Sequence, residues 1–344
     1  MTETHDGRQR DPHIDLIKAV FALAVVMVHC MRPGWDGSAT RFEIWFGSAL
    51  AILVTPAFLF CAGFLAAHSE PISGALLVRR YRRLLAPYLV ATLMAEAYHM
   101  ALPEAPPRPG GVLHNLIHDL LLADAFGPYY FVFHMLLLTP VGVFLSRMPV
   151  RARQALWVVF LVAGAVRSVD VWIKWPGLEP QLGVFMLVRN PFIYWGFYLS
   201  GWEFRLAERT VRNFLDRRRE VLLPLAMTTV TGGAVEAWFT PGWQTPWLSY
   251  PLIYGVLLAL LLSPVARPGS GGQKLVRWLS ERTYSFYLFH LFFVLTALRF
   301  LPHPPGDFAL ARFVCHYAAG VVGVTLVVLG RERLAAIVPR QRTQ

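Results

Sequence analysis

The sequence predicts an all-α, polytopic membrane bundle of about ten spanning helices. Three observations carry that expectation. Of 344 residues, 56% are hydrophobic and only 15% charged, against about 25% charged in an ordinary soluble domain. Apolar runs of the roughly 20 residues that a helix needs to cross a bilayer recur along the chain. Lysines and arginines are sorted between alternate connections instead of scattered. With a mean hydropathy of +0.46, these features exclude a disordered chain, a disulfide-stapled secreted domain and most soluble enzymes.

Spans are expected near 14–31, 43–67, 84–103, 129–146, 154–173, 189–204, 221–239, 248–264, 283–301 and 308–330, in one integral membrane domain covering 1–344. The first follows a polar leader containing Asp6, Asp11 and Asp15. No small-residue cleavage site follows Met31, so this helix is expected to be retained. The stretch 70–83 leads from Leu76, Leu77 and Val78 into Arg79, Arg80, Arg82 and Arg83, and reads as a basic inner segment before a helix started by Pro87. The longest outer connection, 104–128, opens with Pro106, Pro107 and Pro109. Apolar residues then recur between Leu113 and Leu121 at three- and four-residue steps, which predicts a short helix lying on or re-entering the interface.

The run from Arg267 to Gly272 is Gly-rich but lacks the Lys-Ser/Thr of a phosphate loop, so it reads as a connector. Cys30, Cys61 and Cys315 lie in or beside spans without CxxC spacing, and neither a disulfide framework nor a metal site is expected. No segment is long enough for a separate soluble domain. Any chemistry therefore belongs inside the bundle.

A net charge of +11 would suit a nucleic-acid partner were it spread over a surface. With the N-terminus inside, 23 of the 32 lysines and arginines fall in inner segments and five in outer ones, while Lys18, Arg167, Arg299 and Arg312 lie within spans. That is the positive-inside bias, and it puts both termini in the cytoplasm. The charge reports topology, with membrane lipid as the partner and no nucleic acid.

Ionisable groups within spans are costly and mark candidate sites. Lys18 and His29 are eleven residues apart on the first span, about 20° beyond three full turns, so they share a face roughly 16 Å apart along the axis. Lys18 sits toward the inner side and His29 toward the outer. Asp15, three residues before Lys18, is placed to pair with it. Taken alone, Lys18 could be a snorkelling lysine and His29 a packing residue. The topology places Glu96, His99, His134, Arg167, Asp170, Glu236, Arg299, Arg312 and His316 at a similar outer depth on six further helices, with His290 deeper. That common depth points to a polar cavity opening outward. Arg167 and Asp170 also have the spacing to satisfy each other. The four arginines of 79–83 follow the positive-inside rule, and planar guanidinium forks also suit a phosphate-bearing ligand.

In order along the chain, these residues resemble the acyltransferase 3 family of membrane O-acyltransferases. Ile14-Asp15-Leu16-Ile17-Lys18, with His29 eleven residues after the lysine, looks like the family's opening signature. Pro56 to Phe64 is similar to its second-span Phe-x-x-Ser-Gly-Phe, with Ala62 where Ser is common. Arg79 to Tyr88 looks like its basic segment entering span three, and Thr283 to His290 like its late Ser-Tyr-Ser-x-Tyr-Leu-x-His helix.

The resemblance implies transfer of an acyl group, acetyl or succinyl, from cytoplasmic acyl-CoA to a hydroxyl of a cell-surface glycan or lipid-linked saccharide, in a bacterial inner membrane. It implies His29 as general base, with Lys18 and Asp15 as further catalytic residues, Lys18 contacting the pantetheine arm or orienting the site. Arg80, Arg82 and Arg83, with Arg79, would bind the CoA phosphates. His134, His290, Glu96, Arg167 and Asp170 are candidates for the substrate cavity, and no metal is expected. The rival readings are an exporter of polysaccharide or lipid-linked sugar intermediates and a non-catalytic membrane subunit. The paired, broken halves of many transporters are not visible in the sequence.

Overall fold

The structure, a computed structural model, describes residues 10–31, 39–67, 72–101, 111–166, 188–239, 249–267, 269–302 and 309–337. They form twelve α-helices, and no strand occurs among the described residues. These are α1 (Pro12–His29), α2 (Arg41–Ala66), α3 (Gly74–Ala101), α4 (Val112–Leu122), α5 (Tyr130–Arg147), α6 (Val150–Val166), α7 (Pro191–Leu206), α8 (Glu208–Arg217), α9 (Arg219–Phe239), α10 (Ser249–Leu262), α11 (Gly271–Phe300) and α12 (Leu310–Ile337). Every expected span coincides with a helix. The fifth is helical as far as Val166, and the rest of it lies outside the described residues.

Local sequence sets several of the helix starts. Asp11 caps α1, its carboxylate accepting from the backbone N–H of His13 at 2.8 Å and of Ile14 at 3.2 Å, with Pro12 at the first helical position. Asn190 and Pro191 open α7 in the same way, the Asn190 side chain accepting from Phe192 N–H at 2.9 Å. Ser270 caps α11 by accepting from Gln273 N–H. The short helix expected within 104–128 is present as α4.

Six of the helices are long and apolar enough to cross a membrane: α1, α2, α5 with the 3-10 turn before it, α9, α11 and α12. Large apolar side chains face outward across the fold. Val159 is 55% exposed, Leu326 64% and Phe144 68%. Such surface is a liability in water and the ordinary condition of a helix facing lipid. The chain is a polytopic membrane helical bundle.

One element differs from its expectation. The basic stretch before span three is not a separate segment ended by Pro87. Arg79, Arg80, Arg82 and Arg83 lie on α3 itself, which continues through Pro87 to Ala101. Proline removes one backbone hydrogen bond from a helix interior, a loss that neighbouring helices can absorb in a membrane bundle.

The chain divides into two compact units. One takes in Met1–Ala51 and Val265–Gln344, the other Ile52–Thr240 and Gln244–Pro264. In the first, α1 packs along α11, and α11 along α12. Asp15 meets Ser280 near one end of the α1–α11 pair and His29 meets His290 near the other, so these two helices run parallel. The third helix closes on them at Gly320, where a Cβ would come within 2.5 Å of Val26 and 2.8 Å of Val294. Val26 is 0% and Val294 0% exposed, so this junction is the core of the unit.

In the second unit α2 and α7 cross through a reciprocal pair of glycines. A Cβ on Gly63 would lie 1.9 Å from the Tyr198 carbonyl oxygen, and one on Gly201 the same 1.9 Å from the Phe60 carbonyl oxygen. Lipid supplies no hydrophobic drive between helices, so close backbone approach at small residues is what holds them together. The obstructing atom in each case is backbone and cannot swing aside. Gly63→Val is expected to destabilise the detergent-solubilised protein by about 3 kcal/mol or more, with a large fall in thermal midpoint. Gly74→Ala, where a Cβ meets nothing within 4 Å, should leave the midpoint unchanged.

Candidate active site

Histidine nitrogens inside a membrane must find partners, and here the partners are mostly backbone carbonyls. His99 Nε2–H donates to Ala125 O at 3.0 Å, and His134 Nε2–H to Val188 O at 2.9 Å. His316 Nε2–H donates to Leu301 O at 2.8 Å. His290 Nδ1–H is shared between Phe286 O at 2.8 Å and Tyr287 O at 2.9 Å, one turn back on its own helix. A carbonyl only accepts, so each of these ring nitrogens carries the proton.

His29 is the exception. It is the last residue of α1 and half-buried, and among the described residues neither of its nitrogens is hydrogen-bonded. Its ring lies 5.1 Å from that of His290, centroid to centroid, at an interplanar angle of 39°.

Toward the other end of α1, Asp15 is held by groups outside its own helical turn. Arg10 donates to its carboxylate through Nε and Nη2, and Ser280 Oγ donates to it at 2.6 Å. Arg10 also donates to Glu281 at 2.6 Å, and Glu281 accepts from Arg277 at 3.0 Å. Arg282 pairs with Glu332, tying α11 to α12. The carboxylate nearest Lys18 in sequence therefore joins α1 to α11. Lys18 itself is half-buried, on the same helix as His29, and its backbone oxygen faces the Thr283 hydroxyl.

In the second unit, His134 has both nitrogens occupied, because Trp195 Nε1–H donates to its Nδ1 at 3.3 Å while Nε2 serves Val188. Tyr194 and Tyr130 pack on its ring at 5.0 Å and 6.3 Å. Glu96 is buried on α3. Of the four arginines, Arg80 is half-buried and donates to Ala66 O at 3.2 Å, whereas Arg79, Arg82 and Arg83 are exposed. Tyr81, on the opposite side of the turn, donates to Leu136 O at 3.0 Å and pins α3 to α5. Arg167 and Asp170 lie outside the described residues.

His118, Asp119 and Asp124 bring one ligand atom each within 4.8 Å of one another, an arrangement that could hold a metal. Positive charge is already there. Buried Arg189 donates to Asp124 at 2.9 Å and to the carbonyls of Leu122 and Ala123, fixing the turn after α4. The cluster reads as an ion-pair network.

A family model described as an acyltransferase domain, Acyl_transf_3, matches residues 11–330. The chain belongs to the acyltransferase 3 family. No curated protein and no solved structure matches it significantly. The chain is thus a multi-pass membrane acyltransferase, and the family motifs find physical roles in its structure. Asp15 ties helices, Gly63 of the second-span motif is the close helix crossing, and His290 of the late motif meets His29.

Sequence reasoning missed Arg10, Ser280 and Arg189. Arg10 and Arg189 counted only as topology charges, and no local pattern links Ser280 to a carboxylate 265 residues away. The Asn190-Pro191 helix start was the one local signal beside Arg189. In this acyltransferase His134→Phe is expected to lower stability by about 1–3 kcal/mol, since it orphans Trp195 Nε1–H and the Val188 carbonyl. Thermal unfolding should show that loss, while acyl transfer per folded molecule stays within about twofold of wild type.

Proposed function

We propose that this acyltransferase moves an acetyl or succinyl group from cytoplasmic acyl-CoA to a hydroxyl of a cell-surface glycan or lipid-linked saccharide, with His29 as general base. The observation that carries the reading is the exceptional state of His29. Four other membrane histidines spend a ring N–H on a carbonyl, and among the described residues this one does not. A neutral imidazole has a nitrogen lone pair, which suits the abstraction of a hydroxyl proton.

In the proposed step the acceptor O–H proton passes to His29 as the oxygen attacks the thioester carbon. A C–O bond forms, the C–S bond breaks, and the departing CoA thiolate takes the proton from the imidazolium. Lys18 lies eleven residues before His29 on α1, roughly 16 Å along the axis, a span that a thin pantetheine arm can largely cover. Arg80, Arg82, Arg83 and Arg79 take the CoA phosphates, for which guanidinium forks are suited. The charge bias puts the Arg10 end of α1 in the cytoplasm and His29 toward the outer face, so the acyl group alone crosses the membrane. A bacterial inner membrane suits that division of donor and acceptor.

The test is transfer of label from radiolabelled acetyl-CoA or succinyl-CoA into lipid-linked or polymeric glycan, in membranes bearing wild type or His29→Ala. General base catalysis contributes about 10²–10⁴-fold. A loss of that size at normal expression is expected. Equal incorporation by both would remove His29 as the base, and no incorporation from either donor would favour the exporter.

A further inference from the structure

The step above leaves His290 unused, although its geometry suits one task. Its Nδ1–H is committed to Phe286 O and Tyr287 O, which fixes both the tautomer and the ring orientation. Nε2 is therefore a lone-pair acceptor. It is fully buried and, among the described residues, has no hydrogen-bond partner. The nearest ring is His29, 5.1 Å away between centroids.

Close packing surrounds the two rings. One turn away, α12 presses Gly320 against Val26 of α1 and Val294 of α11, which holds the two helices at a fixed separation beside the histidines. A neutral His29 has one N–H. Once it takes a proton it has two, and in a low-dielectric interior the second donor and the new charge both need an acceptor.

We propose that His290 is the positioning partner of His29: its Nε2 accepts an N–H of the His29 imidazolium and leaves the other N–H to return the proton to the CoA thiolate. No atom is gained or lost beyond the step already described. A neutral acceptor suits this place, because a carboxylate there would stand unpaired and charged in the membrane before the proton arrives. The inference rests on the reading of His29 as the base.

The experiment compares full-length wild type, His29→Ala, His290→Phe and His290→Gln, purified and reconstituted in liposomes containing the membrane glycan acceptor. Labelled acetyl-CoA is the donor, or succinyl-CoA if only that supports wild-type transfer. A hydrogen bond to a charged group is worth about 10- to 100-fold. His290→Phe should lower kcat by that factor with the KM for acyl-CoA unchanged, and His290→Gln, whose side-chain oxygen is again an acceptor, should recover part of the rate. If the Phe variant does not fold, His290→Leu against His290→Asn supplies the same contrast. A phenylalanine variant with wild-type kcat, or acceptor and non-acceptor variants equally impaired, would overturn the inference. An inactive His29→Ala beside a fully active His290→Phe would overturn it alone, whereas an active His29→Ala would overturn the base assignment beneath it.

Discussion

A polar group carried into the membrane is costly unless another answers it, and that cost organises much of the structure. Water is absent from the hydrocarbon region, so an unsatisfied nitrogen or oxygen there costs several kcal/mol. The chain answers mostly with backbone carbonyls near turns and helix ends. Ala125, Val188 and Leu301 each receive a histidine N–H, and Leu122 and Ala123 receive Arg189. Against that background His29, with no hydrogen bond among the described residues, faces His290, whose Nε2 carries a buried lone pair.

The same rule explains how α1 is aligned with α11. Near one end, Asp15 draws Arg10 from its own segment and Ser280 from α11 into one network. Near the other, the imidazoles face each other, and Gly320 lets α12 close on both helices from the side. The helices are thus clamped by polar contacts at the Asp15 end and by close packing beside the histidines. On the proposed reading of His29 as the base and His290 as its partner, packing by three helices would organise the pair before substrate arrives, as electrostatic catalysis requires.

Hydropathy and charge made most of the helices legible, because span length and the sorting of arginines are periodic or compositional signals. The shared face of Lys18 and His29 followed from helical spacing and holds on α1. The polar partners were not legible in the same way. Asp15 has a lysine three residues on, yet it pairs with Arg10 and with a serine 265 residues away, since only tertiary packing decides which donor is nearest. His134 and His290 looked alike as isolated membrane histidines. What separates them is a tryptophan N–H on His134 Nδ1 and none on His290 Nε2, a distinction that exists only after folding. Pro87 misled in the opposite direction, as a local helix-breaking signal overridden by the continuous α3.

The central claim is that an acyl group enters from the Arg10 end of α1 and leaves at His29. Sealed vesicles of known orientation test it most directly. Labelled acyl-CoA is supplied on one side only, and acceptor glycan is present on both. The account predicts that label reaches glycan on the far side only when the arginine-rich face meets the acyl-CoA. Labelling of glycan on the side where acyl-CoA was added, with none on the far side, would contradict it.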